Sequence, residues 1–371
     1  TTYIYTLPLH DALPIYDYDA VALFALVRHE PTPLGSRVIH ETAQVVLDIF
    51  NRDGRIYILP LKVFERRSPT MYMLHSWNDP DVLPVTQSAV MSEILTSTQH
   101  QWIYPNAELH GPWTRSIMMA QAVNATTPDV AARDEDVTAL TERLTRMLLS
   151  RDENDEVFRL CREYFELEDL IGIGQRMIGT GLVGGKSVGM LLARKILTRD
   201  APGLAERLEI HDSFYVGSDV FYSYLVLNDC WWDRHRLRNA EDFDRSAESL
   251  RARLRSGGFP DSTMTRFKEV LEYFGQSPII VRSSSLLEDA YGNSFSGKYD
   301  SVFCANQGDP EQRLAGFLDA VRTVYASTMS AEALSYREHR GLLHRDEQMA
   351  LLVQRVSGEF YGKLYLPHIG G

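Results

Sequence analysis

Three stretches of this 371-residue chain gather residue types suited to handling phosphate. The first, GTGLVGGKSVGMLLARKIL, covers residues 179–197. Gly184 and Gly185 permit a tight backbone turn, and the apolar set Met190, Leu191, Ile196 and Leu197 suits a buried helix that follows at once. Lys186 therefore stands where a glycine-rich turn opens a helix. Backbone N–H groups and the positive end of the helix attract an anion there, and the ammonium adds a point charge. The spacing is not that of a P-loop, which needs glycine six residues before its lysine; Thr180 holds that place and Gly179 and Gly181 flank it. Taken alone, the turn is equally compatible with a purely structural role.

The second stretch is SPIIVRSSSLLEDAYGNSFSGKYDSVF, residues 277–303. A short apolar strand, Ile279 to Val281, delivers Arg282 and three serines at its end. Arginine forks onto phosphate oxygens, and Ser283, Ser284 and Ser285 are hydroxyl donors for the same ligand. A surface salt bridge from Arg282 to Glu288 or Asp289 is the competing reading. The third stretch, EQMALLVQRV at residues 347–356, is an apolar strand with Gln354 near its end. The amide of Gln354 either reads a purine edge, donating and accepting at once, or satisfies a neighbouring backbone group.

Something must hold these stretches in place, and the rest of the chain reads as mixed α/β sequence. An apolar run follows Asp19. A helix is expected near Val38 to Phe50, with Val38, Val45, Val46, Ile49 and Phe50 on one side, ended by Gly54, and RIYILPLKVF from Arg55 reads as a strand. Val137, Leu140, Leu144, Met147 and Leu148 recur at helical spacing, and so do Val157, Leu160, Tyr164 and Phe165. The organisation expected is residues 16–125 as an unassigned α/β domain, 126–170 as a helical connector and 171–371 as the nucleotide domain. The opening TTYIYTLPLHDALPI resembles a translated sequencing adapter, so residues 1–15 are set aside. His75, His100 and His110 are scattered among Trp77, Trp102 and Trp113 without a metal-binding spacing.

In order and spacing, GGKSVGM, VRSSSLLEDAYGNSFSGKYDSV, FLDAVRTVYASTMSAEALSYRE and MALLVQRV resemble the N-terminal nucleotide-binding domain of the phosphoenolpyruvate synthase and pyruvate phosphate dikinase family, over about residues 172–360. The resemblance implies an α/β (α+β) domain of ATP-grasp type, two lobes holding ATP between them, incomplete here at its C-terminus. It implies Lys186 on the nucleotide phosphates and Arg282, with Ser283 and Ser284 beside it, as a second phosphate contact. Gln354 becomes a contact of the nucleotide site, and Gly297 and Ser301 belong to a mobile loop, 294–301, over the triphosphate. Arg322, Tyr325, Ser327, Tyr336 and Arg337 match a family pattern of packing residues. Ser285 and Ser296 stand where the family often has Ala, Lys298 where it often has Gln, and Ser301 where it often has Thr.

The implied activity is phosphate transfer from ATP, through a histidine, to pyruvate or another small acceptor. Magnesium ligands and catalytic residues are expected beyond Gly371, and the histidine in a further domain; His100 in TSTQHQW lacks that domain's sequence context. The fragment alone is expected to bind nucleotide weakly and to transfer no phosphate. A nucleotide-sensing or scaffold protein that kept an ATP-binding lobe is the alternative from another class.

The bulk composition narrows the field further. A formal net charge of −12 disfavours a nucleic-acid partner, whose phosphates are bound mainly through excess Lys and Arg. No apolar run reaches the ~18–20 residues that span a bilayer, so no membrane partner is expected. Three widely spaced cysteines suggest neither a disulfide framework nor a zinc site and fit a reducing cytoplasm.

Overall fold

The computed structural model describes residues 43–52, 54–63, 70–78, 81–97, 112–125, 130–150, 156–237, 243–288, 297–343, 345–362 and 364–367. β1 (Val45–Arg52), β2 (Arg55–Val63), β3 (His75–Asn78) and β4 (Asp81–Pro84) form an antiparallel meander in that order. Helices α1 (Ser88–Ser97), α2 (Pro112–Ala125), α3 (Val130–Leu148), α4 (Glu156–Tyr164) and α5 (Leu167–Gln175) lead to β5 (Met177–Ile178). Next come α6 (Gly185–Asp200), α7 (Pro202–Ala205), β6 (Ser213–Val216), α8 (Ser218–Leu227), α9 (Trp231–Arg236), α10 (Phe243–Ser256) and α11 (Asp261–Phe274). β7 (Ile279–Ser285) and β8 (Ser301–Cys304) are followed by α12 (Pro310–Ser327), α13 (Ala331–His339) and β9 (Met349–Arg355). A short hairpin, β10 (Glu359–Tyr361) with β11 (Leu364–Leu366), follows β9. The architecture is mixed α/β, and among the described residues no helix is long and apolar enough to cross a membrane.

The sheet that positions the site has the order β5-β6-β9-β7-β8, with β5 and β6 parallel and the other pairs antiparallel. Side chains alternate between the faces of a strand, and here each face meets its own core. Phe214, Val216, Ile279, Val281, Met349, Leu351 and Val353 enter one core; Tyr215 and Leu352 enter a second, with Val188, Leu191 and Leu192 of α6. β9 lies centrally and is buried on both sides, which is why MALLV is a continuous apolar run rather than an alternating one. The first core also receives Phe50, Tyr57 and Leu59 from the meander and Met91, Ile94 and Leu95 from α1.

A buried ion cluster pins the other end of this sheet. Asp212 accepts from Arg176 Nη1 at 2.8 Å, Arg355 Nε at 2.9 Å and the Tyr273 hydroxyl at 2.8 Å. Burial pushes its carboxyl up, but Arg355 and Arg176 outweigh that and hold it below its ordinary value. Removing one partner of such a pair leaves an uncompensated buried charge, at a cost of about 3–5 kcal/mol.

The helix expected near Val38–Phe50 is a strand from Val45 onward, and residues 38–42 lie outside the described residues. Val45, Val46, Ile49 and Phe50 satisfy helical spacing, but so short an apolar run does not separate the two periods. The hairpin decides between them. Arg52 faces Arg55 across Asp53-Gly54, with Gly54 at φ 78°, and an Asp-Gly pair is a strong signal for a two-residue hairpin turn. The strand from Arg55 and the helices carrying Val137–Leu148 and Val157–Tyr164 are present. The run after Asp19, His100, Trp102 and His110 lie outside the described residues.

Candidate functional site

Lys186 sits in the first turn of α6, and two glycines bring that turn against the end of β7. Gly184 has φ 84°, a left-handed conformation, and a Cβ there would overlap the carbonyl of Ser284; a Cβ on Gly185 would overlap the carbonyl of Glu288. The glycines thus serve backbone approach as well as turning. Ser284 then caps the helix from outside: its hydroxyl accepts from Ser187 N at 3.0 Å, meets the Ser187 hydroxyl at 2.9 Å and donates to Val183 O at 2.8 Å. A first-turn N–H with no partner inside the helix is satisfied in this way.

The Lys186 ammonium donates to Ser283 Oγ at 3.1 Å and lies 3.3 Å from Glu288 Oε1. Glu288 is buried and also accepts from Ser283 Oγ at 2.9 Å and from Ser285 N at 2.8 Å. Burial raises its carboxyl above the ordinary carboxylate value, with Lys186 and these hydrogen bonds acting in the opposite sense. One step further, the Ser285 hydroxyl donates to buried Glu347, which also accepts from the Tyr299 hydroxyl at 2.5 Å. The end of β7 is thereby tied to the chain entering β8.

The earlier part of the glycine-rich stretch encloses a carboxylate of the protein itself. Asp219, in the first turn of α8, accepts from Thr180 N at 2.9 Å and Gly181 N at 2.8 Å, while Leu182 N donates to Ser218 Oγ at 3.3 Å. Gly179, Gly181 and Gly217 all crowd that carboxylate. The backbone donors of residues 180–182 are therefore already engaged.

Arg282 and Gln354 meet elsewhere, on one face of the sheet. Opposed residues of antiparallel strands share a face, so Ile280 opposite Gln354 and Phe303, and Arg282 opposite Leu352 and Ser301, line the same surface. α6 covers this face where Tyr215 and Leu352 lie. Beyond it the surface opens: Ile280, Arg282 and Gln354 are half-buried, Ser301 is exposed and Phe303 is 69% exposed. Arg282 Nη1 donates to Gln354 Oε1 at 3.4 Å, while Arg282 Nε is buried without a hydrogen-bond partner. Gln354 Nε2 donates to Ser213 Oγ at 3.2 Å and contacts Met190 Sδ at 3.1 Å, and Ser213 Oγ meets His211 Nδ1 at 3.3 Å. Burial, with Arg194 and Arg176 nearby, lowers His211 to about 4. A chain of donors thus runs from Arg282 through Gln354 to Ser213, whose hydroxyl pairs with His211 Nδ1.

The structure sorts the residues singled out from sequence into two groups. Lys186, Ser283 and Ser284 form the closed corner, with both serines fully buried; Arg282, Gln354 and Ser301 form the open face. Gly297 stands in the turn before β8 at φ 70°, with open space where a side chain would be, and residues 294–296 of the expected loop lie outside the described residues. Glu288 is a correction: it is not a surface partner of Arg282 but the buried partner of Lys186. Sequence reasoning passes over Ser213, Asp219 and Glu347, and reads Met190 only as part of the apolar side of its helix. Their signal is tertiary, since each meets its partner across at least 38 residues of chain.

These features define an α/β domain with a cationic helix start at one sheet end and an open, donor-bearing face beside it. Residues 180–362 match the family described as "Pyruvate phosphate dikinase, AMP/ATP-binding domain". The chain is also 24% identical over 196 residues to a phosphoenolpyruvate synthase of Aeropyrum pernix; the match covers 50% of this chain and 23% of that relative's length. The chain carries an AMP/ATP-binding domain of the phosphoenolpyruvate synthase and pyruvate phosphate dikinase family.

Proposed function

We propose that this chain is the ATP-binding portion of a phosphotransferase, and that ATP lies on the open face of β9, β7 and β8 with its phosphates toward Arg282 and Lys186. The observation carrying this reading is the half-buried Arg282–Gln354 pair on a sheet face that opens at exposed Ser301 and Phe303. A guanidinium held at 3.4 Å by one long contact and only half-buried can fork onto phosphate oxygens brought to that face. Ile280, Met190 and Phe303 offer apolar area for a base, and Gln354 offers an amide. Ser301 extends the polar edge beside Arg282, and Gly297 leaves the turn before β8 free of side-chain bulk. Ser283 and Ser284 act by holding Lys186 and the start of α6.

Transfer through a histidine to pyruvate or another small acceptor, an ATP-grasp arrangement of lobes and a cytoplasmic setting belong to the same proposal, supported by the family match. Magnesium commonly accompanies ATP in phosphoryl transfer. Among the described residues no three His, Cys, Asp or Glu side chains sit together as a metal site. What these residues do is bind and orient: Lys186 and Arg282 offset phosphate charge, and the half-buried setting strengthens each contact. Titrating ATP and AMP into wild-type and Lys186→Ala protein tests the reading. The expected loss for ATP is about 1.5–3 kcal/mol, with AMP little affected; equal losses would place Lys186 away from the outer phosphates.

A further inference from the structure

Lys186 already has a partner that an incoming phosphate must contend with. Its ammonium is 3.3 Å from Glu288 Oε1, and Glu288, only 3% exposed, is fixed by Ser283 Oγ at 2.9 Å and Ser285 N at 2.8 Å. An anion brought to this ammonium meets a buried carboxylate on the same group. Two outcomes relieve the repulsion. Lys186 can swing away, which leaves Glu288 charged, buried and without its cation, an unfavourable state. Alternatively Glu288 is neutralised where it stands.

The geometry suits the second outcome. A protonated Glu288 keeps Oε2 as acceptor for Ser285 N, and a proton on Oε1 stays bonded to Ser283 Oγ, with the Ser283 hydroxyl turned from donor to acceptor in that pair and its own hydrogen released toward the incoming anion. We propose that Glu288 is the resident counterion of Lys186 and takes up one proton from solvent when a nucleotide polyphosphate engages that lysine, a step that rests on reading Lys186 as a phosphate contact. Burial already raises Glu288 from its ordinary value, and Lys186 is the strongest influence opposing that rise. Among the described residues, the other ionisable groups around this corner are Tyr299 and Glu347, beyond Ser285, and Arg337, 3.8 Å from Glu347. Those keep their contacts whatever happens at Lys186, so Glu288 is the group that changes state.

The sign follows from linkage. The bound form holds one more proton than the free form, so ATP affinity falls by up to about tenfold per pH unit as pH rises from the free-state to the bound-state value of Glu288. Calorimetric titration of the 371-residue chain with ATP, in two buffers of different ionisation enthalpy, reads the uptake directly. Wild type is expected to take up close to one proton more per ATP than Glu288→Gln, and Glu288→Gln to bind ATP more tightly than wild type at alkaline pH. Thermal melts establish that the variant is folded. Should it fail to fold, Lys186→Met serves instead: ATP-linked uptake is expected to vanish when no ammonium is shared. Equal uptake in wild type and variant, or no uptake in a wild type whose ATP binding depends on Lys186, would overturn the proposal. ATP binding indifferent to Lys186→Ala, or absent at millimolar ATP, would instead overturn the phosphate reading of Lys186, and the counterion role with it.

Discussion

Ser284 and Ser301 lie on adjacent strands of one sheet, yet their hydroxyls live in different worlds. Ser284 is fully buried and engaged with Ser187 and Val183, whereas Ser301 is exposed beside Arg282. The same contrast separates the regions around them. At the closed corner Lys186, Ser283, Glu288 and Ser285 satisfy one another; on the open face Arg282 keeps a buried donor without a partner and Phe303 is bare. Phosphate-like residue types therefore do two jobs here. The serines and carboxylates at the corner fix the backbone and present Lys186, and the residues on the face lie open to a ligand.

The strongest way to break this contrast is at its glycines. Gly184→Ala drives a methyl into the Ser284 carbonyl at a left-handed φ, and a cost above about 4 kcal/mol is expected. Gly297→Ala, also at positive φ but in open space, is expected to cost only about 1–2 kcal/mol. Chemical denaturation of both variants measures the difference, and equal losses would show that the corner is not closed.

The buried end of the open-face chain gives the next effect. His211 is lowered from 6.5 to about 4, chiefly by burial, so it folds neutral. Between those values the unfolded chain binds more protons than the folded one. Stability is therefore full above the ordinary histidine range and declines as pH falls toward about 4, by at most about 3 kcal/mol. His211→Asn should flatten that part of the stability profile; an unchanged slope would remove His211 from the account.

On the face itself, Arg282→Ala is expected to weaken ATP relative to AMP by about 1.5–3 kcal/mol while barely moving the melting temperature. A large stability loss with no nucleotide selectivity would make Arg282 a structural residue like those of the corner. Smallest is the serine comparison: Ser284→Ala should cost about 1–3 kcal/mol through its lost buried hydrogen bonds, and Ser301→Ala should stay within about 0.5 kcal/mol. Melts of the two variants set side by side decide it.

Much of this was legible in the sequence, for identifiable reasons. The central strand β9 declared itself through its unbroken apolar run, and α6 through a glycine pair followed by helical periodicity. Lys186, Arg282 and Gln354 stood out because charge or amide is conspicuous at strand and helix ends. β1 reads as a helix in the sequence because a short apolar run fits either period, and the Asp-Gly pair that follows is the local signal for the hairpin. Burial was the other thing the sequence withheld. Nothing local separates Ser284 from Ser301, or marks Glu288 as the partner of Lys186 rather than of Arg282, because those fates are set by packing between α6 and β7.

The central claim is that nucleotide occupies the open face of β9, β7 and β8. Backbone and methyl NMR of the labelled chain, recorded with increasing ATP and then with AMP, tests it most directly. The account predicts ATP-dependent shifts at Ile280, Arg282, Ser301, Phe303, Gln354 and Met190, with Lys186 responding to ATP more than to AMP. Shifts confined to the meander β1–β4, or to the Asp219 loop with the sheet face unmoved, would contradict it.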